Sequence, residues 1–396
     1  MGTDFHSVDA ARAALLEGVT SLESEPCALD AAGGRVLAED VHAAYDMPPF
    51  DNSAMDGYAV HSRDQGKTLA VSQRIPAGTH PPPLAPGTCA RIFTGAPIPR
   101  GADSVIMQEH VRVDENGHIG FPDTVTPGNN VRVQGGEVAV DNVLLYAGTR
   151  LTPATLGVLA SQGIAQPRVR RRPRVALLTS GDEVILPGTP IQPGQIYNSN
   201  RYQLAGLIKE FGGEIVKITH LPDCFEATCQ ALSEAAATAD VLVTAGGVSV
   251  GEEDHVRHAI ESMGTLTMWR LAMKPGKPLT IGRIGHASVV GLAGNPVSGF
   301  VGSYLFLRPL LGRLLACPTL ESLPARTAKA AFSTKTASRR HYMRVTLDAE
   351  GDAHLAGSQD SSMLTSCALA EAFAVIEPDS VITPGDPIHC LTLPRS

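Results

Sequence analysis

From Arg174 onward the chain alternates between short β-branched runs and helical stretches, and this constrains the fold more than any other feature. The runs are Val175 to Thr179, Glu214 to Leu221 and Asp240 to Thr244. Between and after them, Arg201 to Phe211, Glu226 to Thr238 and His255 to Met263 carry helical apolar spacing. Apolar strands separated by helices of this length predict an open, largely parallel sheet with helices on both faces. Ligands of such sheets sit beyond the carboxyl ends of the strands. Two loops fall there: Thr179-Ser180-Gly181-Asp182-Glu183, and the glycine-rich Thr244 to Gly251.

The flanking sequence has a different texture. Ser7 to Glu17 and Pro153 to Gly163 read as helices that flank an insertion and pack together, the second with Pro at its start and Gly after its end. Between them, Ala43 to Gly148 is dense in Pro and Gly with short β runs such as Ala90 to Phe93 and Ser104 to Met107. Arg168 to Arg174 reads as a linker. The helix Phe300 to Leu315 leads to further short strands, His341 to Thr346, Ala374 to Ile376 and Ile388 to Leu391. The expected organisation is α/β plus β and multidomain: a central doubly wound, mostly parallel sheet domain, a β-rich insertion domain and a small C-terminal β-barrel-like domain. The boundaries fall at 1–42 with 140–172 (helical, dimerising), 43–139 (insertion), 173–317 (α/β) and 318–396 (C-terminal).

Composition narrows the function classes. A chain of 396 residues, 43% hydrophobic and 18% charged, is globular and too long for one ordinary core. Net charge −8 argues against a general nucleic-acid binder, which needs a broad basic face. Val297 to Ala316 is apolar enough to suggest a membrane span, but Arg308, Pro309 and Arg313 inside it make a buried helix the better reading. The N-terminus has neither a basic nor an apolar signal region, and seven scattered cysteines form no CxxC pair. A cytoplasmic location with reduced thiols and no membrane contact is expected.

Several segments can carry chemistry. The Thr244 to Gly251 loop is either an empty strand-to-helix turn or a phosphate cradle made of free N–H groups. Lys274-Pro275-Gly276-Lys277-Pro278 is either a solvated basic turn or a rigid pair of ammonium groups whose repulsion an anion relieves. Asp56, Asp182, Glu183 and Asp254 are either turn and cap residues or oxygen ligands for Mg²⁺ beside a phosphate. Ser298, after Gly-Asn-Pro-Val, is placed to cap the next helix.

Taken in order, PPFDNSAMDGYAV (48–60), RIFTGAPIPRGADSVIMQE (91–109), TSGDE (179–183), TAGGVSVGEED (244–254), LAMKPGKPL (271–279) and GLAGNPVSG (291–299) resemble the MoeA/gephyrin E-domain family across nearly the whole chain. The resemblance implies a molybdopterin molybdenumtransferase. Such an enzyme moves molybdenum from molybdate to adenylylated molybdopterin with release of AMP, uses Mg²⁺, and completes molybdenum cofactor biosynthesis. It further implies a homodimer whose active site is shared between subunits, with Asp56 and Thr94 acting in trans. Transient contact with the adenylyltransferase and with acceptor molybdoenzymes is implied as well.

Carried over by position, the implied catalytic set is Asp56, Thr94, Glu183, Asp223, Asp254, Lys274 and Lys277. Glu183 and Asp254 would hold the metal. Substrate binding would fall to Ser180, Gly181, Asp182, Gly246, Gly247, Ser249, Gly251, Arg270, Pro296 and Ser298, and molybdate to Lys274, Lys277, Ser298, Arg339 and Ser361. Three positions depart from the family pattern: Ala293 stands for a proline, Val138 for an acid and Asp360 for a glycine. Asp360 is expected to point away from the oxyanion site, since a carboxylate there repels the anion. The competing readings are a molybdopterin adenylyltransferase and a non-catalytic pterin-binding or scaffold protein.

Overall fold

A computed structural model describes residues 5–221, 224–246 and 255–394. The chain separates into two compact units. One contains the residues through Glu39, Ala147–Leu156 and Gln166 to the C-terminus; the other contains Asp40–Tyr146 and Gly157–Ala165.

The larger unit is built on a six-stranded sheet. Its elements in chain order are β1 (Arg174–Ser180), α1 (Ser199–Glu210), β2 (Glu214–Leu221), α2 (Phe225–Ala236), β3 (Val241–Ala245), α3 (His255–Met263), β4 (Thr265–Arg270), β5 (Pro278–Ile284) and β6 (Ala287–Leu292). The strand order is β2-β1-β3-β6-β5-β4. The first four strands run parallel, while β5 and β4 add an antiparallel edge. Alternation along β1 explains the two helical layers. Val175 and Leu177 face a core containing α1 residues Leu204, Leu207 and Ile208, whereas Ala176 and Leu178 face a core containing Leu232 of α2 and Val256 of α3.

After β6 the chain enters a continuous helical run: α4 (Pro296–Gly302), a π-helical turn over Ser303–Leu307, and α5 (Arg308–Leu314). The apolar stretch read as a buried helix is one: every residue from Val297 to Gly312 is buried except Phe300. Arg308 sits inside it because its guanidinium has neutral partners, donating to the carbonyls of Thr319 (2.6 Å), Leu320 (2.9 Å) and Ser322 (2.7 Å). Those carbonyls belong to the short turn of helix at Pro318–Glu321 and its end, where no ladder satisfies them.

Two local expectations differ. Helix Val8–Leu16 begins as expected, with the Ser7 hydroxyl accepting from the Ala10 amide at 3.0 Å. However, Val8, Ala11 and Leu15 join the α/β core instead of packing with helix Pro153–Ser161. The arginine-rich segment is not a free linker: Arg168–Arg170 is a strand antiparallel to Ser24–Pro26. The Arg171 fork then takes both carboxylate oxygens of Asp240, at 2.8 and 3.0 Å. Burial pushes the Asp240 pKa up, but the Arg171 fork and the Arg174 amide outweigh it and leave it below the usual range.

A second sheet in the same unit is antiparallel through Ala325–Lys329, Pro387–Thr392, Ala372–Ile376 and Arg340–Leu347. Its far edge is a surprise. Met273–Lys274 pairs in parallel with Arg340–Leu347, placing Lys274 opposite His341.

The smaller unit holds a sheet in the order Ser104–Met107, Gly57–Val60, Thr88–Ile92, Thr68–Ile75, Ile119–Gly120, Arg112–Val113. Ala59 and Val60 feed separate apolar clusters on its two faces. Gly57 is needed there because a Cβ would lie 2.1 Å from the Ile106 carbonyl oxygen.

Arg308→Met should strand three carbonyls and lower stability by about 2–4 kcal/mol. Urea denaturation would show this as an earlier midpoint, accompanied by faster thiol labelling of Cys317, which is fully buried. An unchanged midpoint would mean the turn finds other donors.

Candidate active site

The carboxyl ends of β1, β3 and β6 open onto a cleft of about 1310 Å³ in the larger unit. Its floor is made by three strand exits. From β1 come Thr179, Ser180, Gly181 and Glu183; from β3, Ala245 and Gly246; from β6, Ala293 to Pro296 and then Ser298. Glycines let these exits crowd together. Gly181 has φ +120°, and a Cβ on it would stand 2.6 Å from a Glu183 carboxylate oxygen. A Cβ on Gly246 (φ +88°) would approach the Ser180 hydroxyl to 3.1 Å.

The N-terminus of α1 forms a second side. Asn198 caps it, accepting from the Arg201 amide at 2.9 Å, and donates to the Thr179 hydroxyl at 3.0 Å. Asn200 donates to the Gly294 carbonyl at 2.6 Å, and its own side-chain oxygen is buried without a partner. Neither asparagine was singled out in the sequence, although an Asn preceding a helical run is a capping signal.

The third side is basic and comes from chain segments far apart. Lys274 and Lys277 line the cleft together with Arg339. Lys274 reaches Arg339 because its two-residue strand pairs with Arg340 and His341. His341 records the charge: burial lowers its pKa, and the neighbouring Lys274 and Arg339 lower it further. Lys277 stands 5.3 Å above the ring of Phe5. Opposite them lies the segment Gln359 to Ser362. Ser361 accepts from the Asn295 amide group at 3.2 Å and, through its carbonyl, from the Val297 N–H at 3.3 Å.

Asp360 corrects an expectation. It lines this same cleft instead of pointing away. Its carboxylate accepts from the Ser362 hydroxyl (2.7 Å) and amide (2.9 Å), which hold its pKa low, with the Lys274 charge adding to the effect. Ser298 also differs in role: Asn295 is the N-cap of α4, while Ser298 is its third residue and is buried. Arg270, at the end of β4, and Asp182 are exposed and do not line the cleft. Asp223, Gly247, Ser249, Gly251 and Asp254 lie outside the described residues. Among those described, no group of three His, Cys, Asp or Glu side chains could hold a metal ion.

In the smaller unit Asp56 and Thr94 meet directly. The carboxylate accepts from the Thr94 amide and hydroxyl, both at 2.8 Å, and these bonds lower its pKa. Arg91, unremarked in the sequence reading, donates to the Gly57 carbonyl at 2.8 Å and lies over Tyr58 and Phe93.

The comparisons agree along the whole length. Residues 6–163 match the MoeA N-terminal region (domain I and II), residues 176–313 a probable molybdopterin binding domain, and residues 327–393 the MoeA C-terminal region (domain IV). The chain belongs to the MoeA family. A molybdopterin molybdenumtransferase of Haemophilus influenzae is 36% identical over 380 residues, 94% of each chain. One from a Nostoc species is 40% identical over 304 residues, 74% of this chain and 70% of that protein. A solved molybdopterin biosynthesis MoeA protein from Pyrococcus horikoshii OT3 superposes with a TM-score of 0.85 at 27% identity, covering 98% of this chain and 100% of its own. A second structure from that organism is 30% identical with a TM-score of 0.81, covering 98% and 99%. Within this MoeA-family chain the cleft straddles two of the matched regions, the molybdopterin-binding one and the C-terminal one. Among the described residues no helix is long and apolar enough to cross a membrane.

Thr94→Val removes one of the two donors to Asp56 and should raise the Asp56 pKa toward the usual carboxylate range. Carboxyl NMR titration of the two proteins reads this directly, and identical titration curves would show that the amide alone sets the shift.

Proposed function

We propose that this chain is a molybdopterin molybdenumtransferase, taking molybdenum from molybdate into adenylylated molybdopterin and releasing AMP. The observation that carries the reading is the basic cluster beside the floor of glycines. Lys274, Lys277, Arg339, Ser298 and Ser361 line one end of the cleft, and the Ser180-Gly181 and Gly246 exits line another. Lysine and arginine charges suit a dianionic oxyanion, and hydroxyls orient its oxygens. Glycine-rich strand exits suit phosphate groups. The cleft volume exceeds that of an ordinary drug-sized site, which fits a pterin carrying a nucleotide.

In this reading Lys274 and Lys277 hold molybdate where it meets the dithiolene sulfurs. Their work is positional and electrostatic, with no proton transferred. Molybdenum insertion is accompanied by hydrolysis of the pyrophosphate bond, in which a water oxygen bonds to one phosphorus as the bridging P–O bond breaks; the pterin keeps one phosphate and AMP departs from the glycine floor.

Mg²⁺ is the metal we assign. Glu183 offers it one exposed carboxylate at the floor, and Mg²⁺ typically takes one or two carboxylates together with substrate phosphates and water. Asp254 is assigned as the second carboxylate, and Asp223 as a further acidic group of the site. When bound, the ion neutralises phosphate charge. Glu183 would orient it against the floor.

A homodimer in which each cleft is completed by its partner copy belongs to this proposal, with the exposed Asp56 carboxylate, held by the two Thr94 donors, as the group each copy would supply to the other. The four-part division of the chain, a cytoplasmic location, and transient contacts with the adenylyltransferase and with acceptor molybdoenzymes belong to the same proposal.

Purified protein given adenylylated molybdopterin and Mg²⁺ should release AMP only when molybdate is added. Lys274→Ala should slow that release about 100-fold. Release that is equally fast without molybdate, or undiminished in the variant, would refute the assignment.

A further inference from the structure

The cleft wall from residue 358 to residue 362 has no strand or helix of its own. Its carbonyls lack a ladder and need donors from elsewhere. Arg344, from strand Arg340–Leu347, supplies them. Its guanidinium donates to the carbonyls of Ser358 (3.1 Å) and Asp360 (3.3 Å) and to the hydroxyl of Ser366 (3.1 Å). The Gln359 side chain answers in reverse, accepting from the Arg344 amide at 2.9 Å and donating to the Arg344 carbonyl at 3.0 Å.

Arg344 is only 1% exposed, and its guanidinium is held by neutral oxygens. Burying a guanidinium costs free energy that a surface loop does not ordinarily repay. The same loop is fastened on its other side to the start of α4 through Asn295 and Val297. A segment tied in this way between a strand and the start of a helix is held in place, and its position sets where Ser361 and Asp360 stand relative to Lys274.

We propose that Arg344 is a positioning residue for the oxyanion end of the cleft, acting through the 358–362 segment without touching the anion itself. The inference rests on the molybdenumtransferase reading. Freed from Arg344, the segment moves as a loop and Ser361 loses its register with Lys274 and Arg339. The loss is expected in capture of the oxyanion, not in the later steps.

The test is AMP release as a function of molybdate concentration for the wild-type protein, Arg344→Met and Arg344→Lys, with melting temperatures alongside. Arg344→Met should raise KM for molybdate about tenfold or more while kcat at saturating molybdate stays within about twofold. Arg344→Lys, which keeps the charge but not the fork, should recover only part of the loss. If Arg344→Met does not fold, Gln359→Leu carries the same expectation. A lowered melting temperature with unchanged KM would make Arg344 merely structural and overturn the inference. A wild-type protein that releases no AMP would refute the functional reading alone. Calorimetric molybdate binding to the wild type and variant then decides the positioning role: weaker binding by the variant supports it, and equal or absent binding in both overturns it.

Discussion

The pairing of Met273–Lys274 with Arg340–His341 is the interaction on which the candidate site depends. Two residues of strand are all it takes to fasten the Lys-Pro-Gly-Lys turn to a sheet whose other strands begin more than fifty residues later. Without that register, Lys274 and Arg339 would belong to separate surfaces. With it, both charges reach His341, whose pKa is lowered first by burial and then by Lys274 and Arg339. Each cation raises the cost of holding the others, a repulsion that a bound anion relieves and that the Asp360 carboxylate offsets in part.

The floor of the cleft follows from a simpler rule. Parallel strands end together at one edge, and the residues just beyond them have no ladder partners. At β1 and β3 this chain fills those positions with glycines at φ +120° and +88°, a backbone conformation that other residues rarely adopt. Closely approaching backbones leave amide groups, not side chains, as the chemistry offered to a ligand. The same sheet carries the helical run from Pro296 to Leu314, whose interior is among the most buried parts of the chain.

Much of this was legible in the sequence because it is local. Strand and helix alternation between residues 174 and 263, the capped helix at Ser7 and the buried helix around Arg308 all follow from periodicity and capping chemistry. The antiparallel edge strands β4 and β5 were not foreseen, although Thr265–Met268 alternates polar and apolar residues as a strand does. Arg168–Arg170 looked like a linker because nothing nearby announces Ser24–Pro26 as its partner. Arg344 and Asn200 were passed over for the same reason, since what they bond to is set by tertiary contact, whereas the Asn198 cap is local and was open to a reading of the sequence. The Asp360 expectation failed differently. Repulsion from an anion was weighed, but the attraction of Lys274 and the two bonds from Ser362 were not visible.

That carboxylate has a consequence for how the site meets its surroundings. A pocket lined by cations alone attracts any small dianion, and in a cell sulfate and phosphate outnumber rarer oxyanions. Asp360 reduces the net field of the cleft, while its carboxylate takes its hydrogen bonds from Ser362 and not from Lys274, Lys277 or Arg339. Long-range attraction is therefore weakened while short-range geometry is kept, and the balance between competing anions shifts from charge toward fit. Occupancy of such a site is correspondingly less sensitive to ionic strength than its three cationic side chains alone would suggest.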